Sequence, residues 1–532
     1  MSLQKALSVL SKSSPFAVRT KGASSIPLKK YKDYLYIATE IENKFRECLR
    51  EIIHQKDELI FLCGSSGDGK SEILTRCEEE FSDLVDFHLD GTHSYSPDET
   101  AIQALDACFT RYKERHRPLV VGINIGMLGN YAEEGSEEHE DIRESIRGFL
   151  AGATNKDISW GCKFLYFENF PKFSFDSGSA DSVFARQVME KLTEKSDRNP
   201  FYVLYLKERE GQNSNRTACN FGLLSQRKIQ DVIVEILVKA RLVKDQFLTA
   251  RTLLDFLYRI LCSGEYLFDA LFMGGDNELL DKIKEFDPAV LRSKELDQFA
   301  LKESMRIECP EFEKFKKDLL KLDLESLNDP YSYIRLFYLF KKFDVGNNYH
   351  KRFRDDLCQG TIHKYIEVWK IHRDFSKGES SKASMIPFYK KILIAGICKY
   401  INRNAPKLGA KEILVSQLNG FLVATELDVK PDFSRLRAST NFSFTSFDAY
   451  LTVQGKPLMA IPISLNLFDL LLQLQAGYQP SRHGSASILL FDEVVEQIVK
   501  NARQQSKLIF VGADRRYDLR NVDGEYIEVE GY

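Results

Sequence analysis

The 532-residue chain carries 74 basic and 77 acidic side chains, a net charge of −3, with 43% hydrophobic and 28% charged residues. That mixture belongs to a folded chain of roughly two to four domains and excludes a disordered one. The near-neutral balance excludes a uniformly basic DNA-coating protein but leaves room for a local basic face.

No acid precedes Asp33, whereas residues 1–32 hold Lys5, Lys12, Arg19, Lys21, Lys29, Lys30 and Lys32. Two readings stand: a basic N-terminal arm that touches phosphates or an acidic partner, or a solvated extension or first helix. An organelle-import segment has a similar composition. Next, Ile41, Phe45, Cys48, Leu49, Ile52 and Ile53 fall on a 3.6-residue stripe. Glu58 to Cys63 then reads as a buried strand, followed at once by glycines and by a helix bearing Ile73, Leu74 and Cys77. Leu84–Leu89, Pro118–Asn124 and Phe164–Phe167 read as further strands, with a helix from about Asp98 to Arg115. Strands alternating with helices predict an α/β domain over 33–210, a parallel sheet with flanking helices. Glu133 to Asp141 reads as an acidic loop, solvated on its face.

From about Gln226 to Leu418 the three- and four-residue spacing predicts a mostly α-helical domain, assigned to 211–420. Polar stretches at Glu210–Asn215 and Ser376–Ser384 read as loops or domain joints. Residues 421–532 read as a small mixed α/β module. In it Asn441–Phe444 alternates like a strand, Ser464 caps a helix through Leu474, and Asp523-Gly524 suits a hairpin turn.

The chemistry concentrates in Gly64, Ser65, Ser66, Gly67, Asp68, Gly69, Lys70 and Ser71, which match G-x-x-x-x-G-K-[ST] without departure. Glycine frees the backbone to aim amide hydrogens at phosphate oxygens. Lys70 then reaches the β- and γ-phosphates of ATP, Ser71 binds Mg²⁺, and the helix beginning there adds its positive end. A glycine-rich turn with an exposed lysine is the plainer alternative, but strand before and helix after supply the context the motif requires. This is the P-loop NTPase pattern.

An NTPase also needs a carboxylate near Mg²⁺ and a group that orients the attacking water. Asp90 and Glu168 each end an apolar strand, where ligands of parallel sheets bind, and each is either that carboxylate or a surface acid. Asp90 is the candidate metal ligand beside Ser71. Asn124 closes Leu119–Ile123 and either orients the water or forms a turn. Arg251 at the start of a strong helix either contacts the γ-phosphate or is a solvated helix residue. Ile488–Glu493 looks like a strand ending in acids, but Leu489, Leu490, Val494, Val495, Ile498 and Val499 give it helical spacing. His88 and His93 flank Asp90 and read as structural. No H-E-x-x-H, G-x-S-x-G or compact nuclease motif occurs. The ten cysteines include no Cys-x-x-Cys pair, which excludes zinc-ribbon and thioredoxin-type sites and favours reduced thiols in a cytoplasm. No apolar run of bilayer-spanning length or signal-peptide core is found.

The run Phe61–Arg76 resembles the P-loop of the DptF family, the P-loop subunits of DNA phosphorothioation-dependent (Dnd/Dpt) restriction systems. Ala6–Pro15, Asp86–Ser94, Gly122–Gly126 and Thr249–Phe256 are similar to that family too. The resemblance implies an ATP-binding and ATP-hydrolysing subunit that acts with DptG and DptH to restrict DNA lacking the phosphorothioate mark, in bacterial defence. It implies a cytoplasmic location and DNA contact either direct or through the complex. The competing reading is a nucleotide-binding assembly scaffold with little or no turnover.

Overall fold

The computed structural model describes residues 1–13, 26–53, 58–92, 99–155, 161–175, 180–210, 215–325, 327–358, 360–376, 378–409, 411–436, 443–478, 486–512, 515–522 and 526–531. The chain forms two compact units. The first comprises Met1–Ser174, Asp181–Ala240 and Gln246–Cys358, and the second Phe175–Ala180, Arg241–Asp245 and Gln359–Tyr532. The helical stretch expected as one domain over 211–420 is therefore divided, with its last helices in the second unit.

In the first unit, α1 (Leu3–Leu7), α2 (Ile26–Leu35) and α3 (Glu40–Ile52) precede β1 (Leu59–Cys63). Then come α4 (Lys70–Phe81), β2 (Asp86–His88), α5 (Ala101–Arg115), β3 (Leu119–Ile123), α6 (Ile125–Glu134), α7 (Glu140–Leu150) and β4 (Cys162–Tyr166). The four strands form a parallel sheet in the order β2-β3-β1-β4. All five residues of β1 are fully buried, as a central parallel strand covered on both faces requires. Side chains alternate along it. Leu59, Phe61 and Cys63 pack with Phe109, Tyr131 and Ile146 from α5, α6 and α7, while Ile60 and Leu62 pack with Phe45, Leu49, Ile73 and Leu74 from α3 and α4. The period of two thus builds a helix–sheet–helix sandwich.

Two expectations change here. The acids of 133–141 lie on the end of α6, a short 3₁₀ turn and the start of α7, because Lys113 pairs with Asp141 at 2.8 Å and Arg143 with Glu140 at 2.8 Å. Within the N-terminal 32 residues, Leu3, Ala6, Leu7, Val9 and Leu10 are buried, so the described part of 1–13 is a first helix and turn seated in the core. Residues 14–25 lie outside the described residues.

Five further helices follow, α8 (Val183–Thr193), α9 (Pro200–Glu210), α10 (Arg216–Leu224), α11 (Arg227–Lys244) and α12 (Ala250–Cys262), of which α8 and α12 line the site. Thr249 caps α12, accepting the Thr252 amide at 3.1 Å.

The second unit holds a five-stranded antiparallel sheet, ordered Tyr526–Gly531, Arg516–Val522, Lys507–Val511, Phe421–Glu426, Glu412–Leu418. Residues 412–418, expected as helix, are its edge strand. Asn419 and Gly420 both take positive φ, 48° and 84°, and close a two-residue hairpin. The expected loop at 376–384 turns helical from Glu379. Ser464 caps Leu465–Gln475 and Ile488–Glu493 lies on the helix Ala486–Arg503, both as the spacing predicts. Asn441-Phe442 and Asp523-Gly524 lie outside the described residues; Ser443-Phe444 precedes the strand Ser446–Ala449.

His372 is buried among Phe388, Tyr389 and Phe447, with its Nδ1 2.8 Å from the Val368 carbonyl. Burial pushes its imidazole from 6.5 down to about 4. Between those values the unfolded chain binds more protons, so stability rises with pH; the contribution is complete above 6.5 and lost as the pH falls to 4. The difference amounts to roughly 3 kcal/mol. Unfolding free energies of wild type and His372→Phe at pH 7 and pH 4 check this: wild type should lose more on acidification by about that amount, and equal losses contradict it.

Candidate functional site

The Gly64–Ser71 turn joins β1 to α4, and its shape follows from four contacts. Gly67 and Gly69 take φ of 86° and 101°, angles that L side chains rarely adopt, and Gly69 opens α4 as its N-cap. The Gly64 amide donates to the Ile123 carbonyl at 3.3 Å, which ties the turn to β3. The Asp68 carboxylate accepts the Ser65 amide at 2.7 Å with one oxygen and pairs with Lys172 Nζ at 2.6 Å with the other. Finally, the Gly67 carbonyl accepts the Arg251 amide at 3.1 Å, fastening the turn to the start of α12.

Lys70 folds back over this turn, donating to the Gly64 and Ser65 carbonyls at 2.9 and 2.7 Å. Burial lowers its ammonium from the ordinary value, against the opposing pull of Asp68 and Asp90. A cationic group that is partly desolvated and held only by neutral carbonyls is poised for a stronger, anionic partner.

The turn opens onto a cavity of about 720 Å³. Cys63 pairs with Ile123 and His88 with Val121, so the carboxyl ends of β1, β2 and β3 reach the same edge. Lys70, Ser71, Asp90, Asn124 and Arg251 all line the cavity there, together with Ser66, Gly67, Asp68 and Gly69. Asp90 accepts the Thr92 amide at 3.0 Å, and Asn124 caps α6, its Oδ1 accepting the Met127 amide at 2.7 Å. Apolar side chains line the cavity as well, among them Leu10, Leu35, Tyr36, Ile37, Val188 and Leu254.

Glu168 is not brought to the cavity. β4 ends at Tyr166, and the chain turns through a 3₁₀ segment, Phe167–Asn169, that faces the cavity with Phe167 and leaves Glu168 exposed. Burial and a hydrogen bond to Glu168 raise the Tyr166 phenol. His88 is buried beneath the strand end, where burial lowers its imidazole; His93 lies outside the described residues. Burial pushes the Cys63 thiol up to about 12, which removes it as a nucleophile. Among the described residues no group of three His, Cys, Asp or Glu is placed to hold a metal, and no helix is long and apolar enough to cross a membrane.

Sequence reasoning missed Lys172, which follows Phe170-Pro171 and carries no motif of its own. It also missed the walls built by Val9–Lys12 and by residues 35–41. The apolar spacing of Leu3, Leu7 and Leu10 was the available signal for the first of these. No protein-family model matches the chain, and comparison with the curated proteins finds no match.

The two strained glycines are not equivalent. A Cβ on Gly69 meets nothing within 4 Å, whereas one on Gly67 comes within 3.1 Å of Arg251 Cβ and 3.2 Å of Thr249 Oγ1. Gly69→Ala should therefore cost only the backbone term, about 1–2 kcal/mol, and Gly67→Ala more, measured by denaturant midpoints. Equal costs would show that the turn is not held against α12.

Proposed function

We propose that the Gly64–Ser71 turn is a P-loop holding the triphosphate of ATP, and that the chain is an ATP-binding, ATP-hydrolysing subunit. The observation that carries this is the turn itself: left-handed glycines, a helix start and a lysine with replaceable partners, all at one end of a cavity. The cavity is lined by the turn's polar groups and by apolar side chains together, a mixture that suits phosphates and a base rather than a bare anion.

Each residue then has a task. Lys70 leaves the carbonyls of Gly64 and Ser65 for the β- and γ-phosphate oxygens. The Ser71 hydroxyl and the Asp90 carboxylate line one cavity and are oxygen donors of the kind Mg²⁺ takes. When bound, Mg²⁺ supplies neutralisation of the charge that develops between the β- and γ-phosphates. Asn124, with its Oδ1 committed to Met127, offers its amide nitrogen to the attacking water. Arg251, which lines the cavity at the start of α12, takes the γ-phosphate in this reading, and its backbone tie to Gly67 is the route by which phosphate would act on that helix.

In the cell, the resemblance to the DptF family supports a subunit that joins DptG and DptH in phosphorothioation-dependent DNA restriction. One observation favours the scaffold alternative: Asp90 alone of the two expected acids reaches the cavity, and it already accepts the Thr92 amide. Phosphate release by purified protein with partners and DNA separates the two, since binding without release under any condition supports the scaffold.

Calorimetric titration with ATP and Mg²⁺ tests the assignment. Lys70→Ala should weaken ATP binding at least tenfold. Asp90→Asn should keep ATP binding and lower phosphate release by roughly a hundredfold, the scale of one lost electrostatic contact at a reacting group. Glu168→Gln should change neither. Undiminished ATP affinity in Lys70→Ala rejects the P-loop, and a hydrolysis defect confined to Glu168→Gln moves the carboxylate role to that residue.

A further inference from the structure

Tyr36 lies between α2 and α3 and lines the same cavity as the Gly64–Ser71 turn. Three contacts hold it. Its hydroxyl donates to the Glu42 carboxylate, its carbonyl accepts Lys191 Nζ at 2.5 Å, and the Arg76 guanidinium lies over its ring, 3.6 Å from the centroid. Glu42 is itself buried and paired with Arg46 at 3.0 Å, so the hydroxyl has a fixed anchor. Neither Glu42 nor Arg76 lines the cavity. One face of the ring and its hydroxyl are thus occupied, and the second face is what the ring has left to offer the cavity.

Arg76 also ties Tyr36 to the phosphate turn. Its Nε donates to Glu72 Oε1 at 2.9 Å, one helical turn back, because helical side chains lean toward the N-terminus. The guanidinium and the ring beneath it therefore lie beside the first turn of α4, which Lys70 opens. Thr39 supplies an independent sign. It is the N-cap of α3 yet accepts no amide from it, it lines the cavity, and its Oγ1 is buried with no hydrogen-bond partner among the described residues. A buried hydroxyl without a partner is costly, so a ligand that supplies one is favoured.

We infer that the base of the nucleotide stacks on Tyr36 and hydrogen-bonds to Thr39. A ring already fixed by three contacts loses no freedom when the base arrives, and its open face suits the flat π-surface of a purine. This rests on the P-loop assignment and adds the base subsite to it.

Calorimetric titration of the full-length protein with Mg²⁺ and either ATP or inorganic tripolyphosphate tests this, because the second ligand has phosphates and no base. Wild type should bind ATP more tightly than tripolyphosphate. Tyr36→Ala should weaken ATP by roughly tenfold to a hundredfold, the scale of one base–aromatic stack, and leave tripolyphosphate unchanged. Tyr36→Phe keeps the ring and should keep most of the ATP affinity. Thr39→Val should weaken ATP by about fivefold, the scale of one neutral hydrogen bond, with no fall in the unfolding midpoint because no partner within the protein is lost. Equal loss of both ligands in Tyr36→Ala overturns the inference, since it marks Tyr36 as a brace of the fold; undiminished ATP affinity in Tyr36→Ala or in Thr39→Val overturns it too. Wild type that binds the two ligands equally contradicts the base subsite alone, whereas wild type that binds neither contradicts the P-loop as well.

Discussion

The Asp68 carboxylate holds the Ser65 amide on one side and the Lys172 ammonium on the other, and this bridge shapes the turn on which the site depends. Asp68 has only 8% of its side chain exposed, so its charge needs both partners. With the bridge in place, the Gly67 carbonyl faces the Arg251 amide and Lys70 is free to curl over the loop. Without it, a carboxylate would stand unpaired beside the position where phosphate is expected. The turn is thus braced through Lys172 from the chain that follows β4, from β3 through Ile123, and from α12 through Arg251.

Those braces work because the sheet beneath them is rigid. The fully buried β1 is gripped by aromatic stacking on one face, Phe61 against Phe164 at 5.0 Å, and by the aliphatic side chains of α3 and α4 on the other. Interiors packed this way transmit displacement rather than absorb it. Arg251 of α12 is tied to the turn at Gly67, and the N-terminal segment is tied to the same helix, since the Lys12 amide donates to Asp255 at 2.9 Å.

What could be read from sequence depended on how local the cause was. Gly64, Gly69, Lys70 and Ser71 were legible because the backbone angles and the chemistry sit within one octapeptide. Asp90 and Asn124 were legible as strand ends, and the register of β1, β2 and β3 brings both to the cavity. Glu168 followed the same rule and missed, because the strand stops at Tyr166 and a 3₁₀ turn rotates the acid outward. Asp68 and Lys172 lie 104 residues apart, and no local pattern links them. The edge strand Glu412–Leu418 is a different case: the Asn419-Gly420 turn signal stands directly after it, but the helical spacing of the preceding segment is carried through to Leu418.

A crystal structure with a non-hydrolysable ATP analogue and Mg²⁺ tests the central claim most directly. The account predicts the triphosphate inside the turn, Lys70 Nζ moved from the Gly64 and Ser65 carbonyls onto the β- and γ-phosphates, and Asp90 facing the metal across from Ser71. A triphosphate bound elsewhere, with Lys70 still on those two carbonyls, would contradict it.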